Sequence, residues 1–368
     1  MYLNKILIPP WAMAVAGALL LATACTSSSS VAPNSPAQQV FVTGSEVEVF
    51  PLPAPGSDDA ATTSFGSFQD GHRSGFDAAG NLYVTDAEAG TISVFYPSAY
   101  AAGATGNAAP ALVLGSSFGA PSGVAFDSQG YMYVTNLEGE VLLFAPIAIP
   151  STPPVSPVRP TPYATLSGTN TTFDQPNGIA VDAAGNVYVA NEYAADVLIF
   201  SRSDLASAYA AATTTANFST PSTFAPGPSD HAAPRAASLG TSPTLNVAPS
   251  TTITGFSNVH SLTRDAAGNL YVTDQGAPAV DIFTAAQTAT GQGIIKSLPQ
   301  AIIPGGTTTT MEYPNGIATD ANGNIYVADT GLGEILVFPP VTSAGVQNVA
   351  PTATITVTTS RFHDVTIH

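Results

Sequence analysis

The chain has 368 residues, of which 45% are hydrophobic and only 9% are charged, and its formal net charge is −17. The apolar fraction is large enough to bury a core, which excludes a charge-rich disordered protein. A nucleic-acid surface needs a stripe of basic side chains, and 8 Lys and Arg residues stand against 25 Asp and Glu residues, so no nucleic-acid partner is expected.

Residues 1–24 are predicted to be a lipoprotein signal peptide. Lys5 provides a positive charge, a mostly apolar stretch follows to Leu21, and small residues lead to Cys25, the single cysteine. The segment Ala22-Thr23-Ala24-Cys25 resembles a lipobox, which implies that the Cys25 thiol is lipidated. The protein would then be held outside the cytoplasm on the bacterial cell envelope, touching the membrane through its lipid anchor only. Ordinary secretion with an incidental cysteine is the alternative.

Residues 25–39 are predicted to form a flexible tether, because four serines in a row follow Thr26 and the stretch lacks apolar periodicity. The rest of the chain, residues 40–368, is predicted to be one folded domain, since it is built from repeats and a repeat array forms a single unit.

Five segments of this domain share one pattern, in which an Asp is followed by Gly three residues later and Tyr six residues later. The Asp-x-x-Gly part predicts a turn, because the carboxylate can accept backbone hydrogen bonds and glycine tolerates a positive φ. Alternating apolar residues on both sides predict strands, and with a further apolar stretch each repeat has four strands. Four strands in a repeat of roughly 50 residues are typical of a β-propeller blade. The leading aspartates of the five repeats are Asp77, Asp127, Asp182, Asp265 and Asp320.

The two ends of the domain are predicted to form a sixth blade together. Residues 41–44 and 47–51 match the second and third strands of a blade, and residues 362–368 match a first strand, with His368 in the place of the leading Asp. Such closure leaves no open sheet edge around the ring. The fold class is therefore all-β, a six-bladed propeller with N- and C-terminal strands in the closing blade. Residues of about 201–245, rich in Ala, Thr, Ser and Pro, are predicted to be an extended loop.

Two stretches, Pro176 to Ala190 and Pro314 to Ala328, read Pro-Asn-Gly-Ile-Ala-x-Asp-x-x-Gly-Asn-x-Tyr-Val-Ala. This sequence resembles NHL-repeat propellers, and the likeness extends over residues 40–368. The resemblance implies a six-bladed propeller and leaves the function open, because this scaffold carries lyases, lactonases, sensor domains and binding modules.

The residues that recur in every repeat are interpreted as structural. The leading aspartates and their glycines form turns, and the Asp or Asn nine residues after each leading aspartate is expected to cap the turn after the second strand. The repeated tyrosines are expected to pack between blades.

One repeated position differs from blade to blade and is the candidate site. It lies five residues before the leading Asp, where each chain segment enters the strand nearest the channel, and all its occupants are polar. By the pseudo-symmetry of the propeller these side chains should meet at one mouth of the channel. In blade order the occupants are His72, Ser122, Asn177, His260, Asn315 and His363.

Three of the five histidines in the chain fall at this position, and neutral imidazoles are good ligands for a divalent metal such as Zn²⁺. A small-ligand or metal site is one interpretation, and a channel lined by polar residues that hold only water is the other. The neighbouring Arg73 and Arg264 would either receive an anionic ligand or pair with local carboxylates.

Resemblance to two enzyme families bears on the metal interpretation. Peptidyl-hydroxyglycine lyases place zinc-binding histidines at this blade position, and the segments around His260 and His363 resemble theirs. Gluconolactonase-type propellers place a metal-binding Asn at the position of Asn177 or Asn315. The lyase histidines come from alternating blades, whereas here they come from blades one, four and six, and the Glu of the gluconolactonase pattern is missing at His72.

The sequence thus favours a monomeric, cell-envelope-anchored propeller that acts as a binding or scaffold module for a protein or small ligand at one face, without a required cofactor. The alternative is a metal-dependent lyase or lactonase with its site at the channel mouth. No complete catalytic set accompanies the candidate residues, so the non-enzymatic interpretation is preferred.

Overall fold

The structure is a computed structural model that describes residues 38–53, 60–104, 106–115, 117–214, 242–296 and 299–368. The predicted signal peptide, Cys25 and nearly all of the predicted tether lie outside these residues. Within the described part of the chain, no helix is both long and apolar enough to cross a membrane.

The described residues form six sheets arranged as the blades of a propeller. The strands near the N-terminus are β1 (Gln39–Thr43), β2 (Val47–Pro51) and β3 (Thr63–Phe65). Blade 1 has β4 (Gly71–Phe76), β5 (Leu82–Asp86), β6 (Thr91–Phe95) and β7 (Leu112–Gly115), and blade 2 has β8 (Pro121–Phe126), β9 (Met132–Asn136), β10 (Glu140–Phe144) and β11 (Ala164–Leu166). Blade 3 has β12 (Pro176–Val181), β13 (Val187–Asn191), β14 (Asp196–Phe200) and, after helix α1 (Arg202–Thr214) and β15 (Thr244–Leu245), β16 (Thr251–Thr254).

The remaining strands complete the ring. Blade 4 has β17 (Val259–Arg264), β18 (Leu270–Asp274), β19 (Ala279–Phe283) and, after β20 (Gly293–Lys296), β21 (Ala301–Pro304). Blade 5 has β22 (Pro314–Thr319), β23 (Ile325–Asp329), β24 (Glu334–Phe338) and, after β25 (Gly345–Val346), β26 (Ala353–Thr356). The last strand is β27 (Asp364–Ile367), which pairs with β1 in blade 6, in the order β27, β1, β2, β3.

The predicted closing blade is confirmed. β1 and β27 are antiparallel, with Val42 opposite Val365. The Gln39 amide donates to the His368 carbonyl at 2.7 Å, and the His368 amide donates back to Gln39 at 3.1 Å. The two ends of the domain are therefore fastened to each other by a strand pair.

The Asp-x-x-Gly turns also form as predicted, and blade 3 shows how. Asp182 Oδ1 accepts the amides of Ala184 and Asn186 at 2.9 and 2.8 Å, and its Oδ2 accepts the Tyr188 hydroxyl at 3.1 Å. Gly185 has φ +83°, a backbone conformation that side-chain-bearing residues rarely adopt. The leading aspartate thus holds its own turn and the tyrosine of the next strand.

In four blades the residue nine positions after the leading aspartate caps the turn after the second strand, whereas Asn191 of blade 3 accepts the Asp174 amide at 2.6 Å instead. This residue also has a further role. In blade 4 Asp274 accepts the amides of Gly276 and Ala277 in that turn, both at 3.1 Å. It also accepts the amides of Ser257 and Asn258 at 2.7 and 2.9 Å, in the loop that leads into the channel strand of the same blade. One carboxylate therefore fixes both loops at the end of the blade where the candidate site lies.

The core consists of six apolar clusters, each between two neighbouring blades. The predicted role of the tyrosines is confirmed, because each packs against residues of the following blade. These tyrosines are Tyr83, Tyr133, Tyr188, Tyr271 and Tyr326.

The segment predicted as an extended loop, residues 201–245, begins with helix α1 and ends with β15, so the prediction was wrong at both ends. Ser201 Oγ accepts the Asp204 amide at 3.1 Å, which is N-terminal capping, and an Ala-rich stretch follows. β15 pairs in parallel with β11 and covers the outer edge of blade 2. The Ser and Thr content had suggested a loop, although Ser-x-x-Asp before alanines is a helix-start signal.

Candidate functional site

The structure brings the six predicted site residues to the start of the channel strands, or immediately before it for His363. Five of these strands have a register irregularity at this point, between residues 71 and 74, 121 and 124, 176 and 179, 259 and 261, and 314 and 317. A bulge turns side chains away from strict alternation. The three histidines of this set lie close together: the His72 ring lies 4.9 Å from the His363 ring and 6.4 Å from the His260 ring, measured between centroids.

The centre of the channel is occupied by the guanidinium group of Arg73. Its Nε donates to Asn177 Oδ1 at 3.2 Å, and its Nη2 lies 2.9 Å from both the Nδ1 atom and the carbonyl oxygen of His260. The same Nη2 is 3.4 Å from Asn315 Oδ1, and Nη1 is 3.4 Å from the His363 carbonyl. The Arg73 side chain therefore closes the channel with contacts to four other predicted site segments.

Arg73 also forms a buried ion pair with Asp364, the first residue of β27. The Nη1 to Oδ1 distance is 3.3 Å, and Oδ2 of Asp364 accepts the Ser74 amide at 2.9 Å. Burial raises the pKa of Asp364, while the positive charge of Arg73 opposes that rise. Because an isolated buried charge is costly, each of these two groups depends on the other.

The buried histidines at the site are held in the neutral state. Burial, helped by the neighbouring Arg73 charge, lowers the pKa of His72 to about 3, and the same causes lower the pKa of His260 well below its ordinary value. His363 is closer to the surface, and its Nε2 is in hydrogen-bond contact with Asp70 Oδ1 at 3.2 Å, a contact that lowers the pKa of Asp70. The mouth thus combines one buried cation, neutral imidazoles and a peripheral carboxylate.

This arrangement does not fit a three-histidine metal site. Nδ1 of His260 faces Arg73, while the two ring nitrogens of His363 face Asn315 at 3.4 Å and Asp70 at 3.2 Å. Among the described residues, no group of three or more His, Cys, Asp and Glu side chains is placed to hold a metal ion. Nδ1 of His72 differs from the histidine nitrogens named above, because it is buried and has no hydrogen-bond partner in the part of the chain that the structure describes.

Arg264 lies away from the site residues with which the sequence grouped it. It ends β17, the strand in which His260 is the second residue. Its Nη1 is 3.3 Å from Asp182 Oδ2, and its guanidinium carbon is 4.5 Å from the centre of the Tyr188 ring. Of the two roles considered for this arginine, pairing with a local carboxylate is the one that the structure has.

Asp364 was missed by the sequence reasoning, although a signal for it existed. Where blades 1 and 6 have Arg73 and Asp364, blades 2, 3 and 5 have Gly123, Gly178 and Gly316. A Cβ atom at Gly316 would lie 2.5 Å from the Asp364 Cα, so the glycines permit close packing of neighbouring channel strands. Blade 4 has Ser261 at this position, and two opposite charges at a position that otherwise holds glycine or serine predict a pair.

The sequence between Gly115 and Gly119 fits the Gly-x-Ser-x-Gly pattern of serine hydrolases, which the sequence reasoning overlooked. That pattern needs a strand, a sharp turn and a helix. Here strand β8 follows, and the structure gives no hydrogen bond between Ser117 and a histidine within its described residues. The match therefore carries no catalytic assignment.

A second departure from the repeat lies in blade 4, away from the channel. Asp281 is in β19 opposite Val272, where other blades have uncharged residues. Its side chain is 8% exposed and has no hydrogen bond or ion pair with the residues that the structure describes. Burial, together with the charge of Asp274, raises the pKa of Asp281 to about 7. The residues that share its blade position are Val49, Ser93, Leu142, Leu198 and Leu336.

Asp281 lines an open pocket of about 610 Å³ on blade 4. Asp274 and Ser257 lie on one side of it, and Ile302 and Met311 contribute apolar surface. Asp274 already accepts four backbone amides, so Asp281 is the carboxylate of this pocket that has no partner.

Comparison with known proteins supports the fold. The NHL repeat family matches residues 311–338, which cover the first three strands of blade 5. No curated protein sequence matches the chain. A solved structure titled as a nidogen/laminin complex is similar with a TM-score of 0.54 and 14% identity, covering 90% of this chain and 98% of that one. A protein of unknown function from Bacteroides caccae is similar with a TM-score of 0.52 and 8% identity, covering 90% and 99%.

The chain is a six-bladed β-propeller with an NHL repeat. At these identities the two solved structures bear on the fold alone, and the candidate site rests on the geometry of this chain.

We predict that Arg73→Met lowers the free energy of unfolding by about 3–5 kcal/mol, because it leaves Asp364 buried without its partner. The double variant R73M/D364N should be more stable than R73M, since it removes the orphaned charge. Denaturant unfolding of the purified chain measures both changes. Arg361→Met, at an exposed arginine, is the matched control and should change stability by less than about 0.5 kcal/mol. Equal stability of R73M and the double variant would contradict the pairing.

The pKa of Asp281 predicts a pH dependence of stability. Between its ordinary value of 3.8 and about 7 the folded chain retains a proton that the unfolded chain has lost, so this group makes stability fall as pH rises through that window. Asp281→Asn removes the effect. The stability advantage of D281N over the natural chain should grow by up to roughly 4 kcal/mol from pH 4 to pH 8. Unfolding curves at several pH values measure it, and a constant difference would refute the shift.

Proposed function

We propose that the protein is a cell-envelope-anchored binding module that takes a partner on the propeller face around the channel mouth. The observation that carries this proposal is the closure of the channel by Arg73, whose hydrogen-bond donors are used by groups of the protein itself. A partner approaching this end meets a filled surface. Anchoring rests on the lipobox-like sequence at Cys25.

The composition of this face favours a protein partner with a basic surface. Exposed carboxylates surround the mouth in the turns and loops at this end of the blades, and two tyrosines project among them. Tyr193 is 62% exposed and Tyr313 is 55% exposed. Large aromatic side chains supply much of the binding energy of interfaces, and charge complementarity steers association. The exposed carboxylates are Glu88, Glu138, Asp174 and Glu312.

Similarity to a structure that contains a protein complex supports a protein partner, because it shows that a propeller of this shape occurs in such an assembly. The likeness does not extend to the identity of the partner.

Photo-crosslinking in the native cell tests the binding face. A photoreactive phenylalanine analogue at position 193 or 313 is expected to yield a discrete crosslinked protein. Positions 184 and 321, in the exposed Asp-x-x-Gly turns at the opposite end of the same two blades, are matched controls and should yield none. Crosslinks of equal yield from both ends, or from neither, would overturn the assignment of the mouth face.

The alternative function, a metal-dependent lyase or lactonase, is favoured by one observation: the buried Nδ1 atom of His72 without a partner. Elemental analysis of the chain, purified without a histidine tag, tests it. We expect no stoichiometric metal, because His260 and His363 are engaged by Arg73, Asn315 and Asp70. About one metal ion per chain, lost in a folded His72→Ala variant, would favour the enzyme instead.

A further inference from the structure

We propose that the pocket beside Asp281 on blade 4 is a binding site for an organic cation, which it takes through a primary ammonium group. The site is separate from the channel and depends neither on the lipid anchor nor on the partner proposed for the mouth face. Three observations support it: the position of Asp281 in the repeat, the state of its carboxylate and the lining of the pocket.

The first observation is that a carboxyl group stands where four of the other five blades have an apolar side chain. At the equivalent position Leu142, Leu198 and Leu336 are almost completely buried. Each belongs to an apolar cluster between its own blade and the preceding one. Asp281 is shorter than leucine and charged, and the pocket of about 610 Å³ opens next to it. Blade 4 therefore has a carboxylic acid and an adjoining open pocket where those three blades have a packed leucine side chain.

The second observation is that this acid has no partner. The carboxylate of Asp281 receives no hydrogen bond from the described residues. Among those residues, the charged group that shifts its pKa is another carboxylate, Asp274. Ionising a buried carboxyl group that has no partner is costly, so a cation that enters the pocket would stabilise the ionised form of Asp281 through an interaction that the protein itself does not supply.

The third observation concerns the kind of cation. Asp274 already accepts four backbone amides, which leaves one carboxylate without a partner, whereas a calcium ion needs six or more oxygen ligands. Ile302, Pro304 and Met311 provide apolar walls that suit a methylene chain. An alkylammonium group, carried by a lysine side chain or by a free amine, matches both the single anion and the apolar walls.

The test uses the purified chain, labelled with ¹⁵N, and Nα-acetyl-lysine methylamide as the probe. We expect saturable shifts of the amide signals of Gly255, Ser257 and Gly305, which line the pocket, with a Kd of about 1–10 mM. The norleucine analogue, which lacks the ammonium group, should cause no saturable shift. A free linear diamine is the second arm, and the tighter of the two probes identifies the source of the ammonium group.

Two variants separate binding from folding. Asp281→Asn preserves the shape of the side chain and should weaken binding at least tenfold, and Asp281→Leu, which restores the residue of other blades, should abolish binding while raising the thermal midpoint. Asp196→Asn, the same change at a half-buried acid of blade 3 that has Asn191 as its partner, is the control and should bind normally. The proposal is overturned if neither probe saturates, or if folded D281N binds as well as the natural chain.

Discussion

The ion pair between Arg73 and Asp364 is the interaction on which the centre of the propeller depends. Arg73 lies in the channel strand of blade 1, and its guanidinium group contacts blades 3, 4, 5 and 6 through Asn177, His260, Asn315 and Asp364. A planar group with five donors in fixed directions can serve several acceptors around a ring, which an ammonium group cannot do in the same way. Since Asp364 begins the strand that closes the ring, this pair joins the first complete blade to the last.

The same pair determines the chemistry of the channel mouth. A buried positive charge beside imidazoles, in surroundings that exclude water, favours their neutral forms. It also occupies the space into which the site residues point, so that those residues satisfy one another and the guanidinium group. Polar side chains that converge in a propeller channel are therefore not enough to identify a metal or substrate site. The deciding question is whether buried converging atoms remain without partners, and among the described site residues this holds for Nδ1 of His72.

Most of the fold was predictable because each blade repeats the same local rules. The Asp-x-x-Gly turn, the strand alternation and the tyrosine all follow from residues close in sequence, and pseudo-symmetry then places the six channel positions together. The orientation of Arg73 was less accessible, because strict alternation sends neighbours such as His72 and Arg73 to opposite sides of a strand. Both lie inside the register irregularity between Gly71 and Ser74, and such a bulge depends on contacts between strands.

Helix α1 and Asp281 escaped prediction for other reasons. The capping of α1 by Ser201 was visible in the sequence, but it lay in a stretch whose composition resembled a loop. Asp281 sits in a strand with apolar neighbours, and its meaning appears only when the third strands of all blades are aligned by their pairing.

Residues that recur along a propeller and residues that differ between its blades require different explanations. A residue that recurs in all five repeats is explained by the structure of the blade, as the aspartates and glycines of the Asp-x-x-Gly turns show. A residue that breaks the repeat and lowers stability needs another explanation, because packing alone would select the common residue. Arg73 and Asp364 break the repeat as a compensated pair, and their explanation is structural. Asp281 breaks it alone, at a position where leucine fits, and the protein supplies no compensation for its charge. Because the protein supplies no partner for Asp281, this departure from the repeat is the one that indicates a ligand.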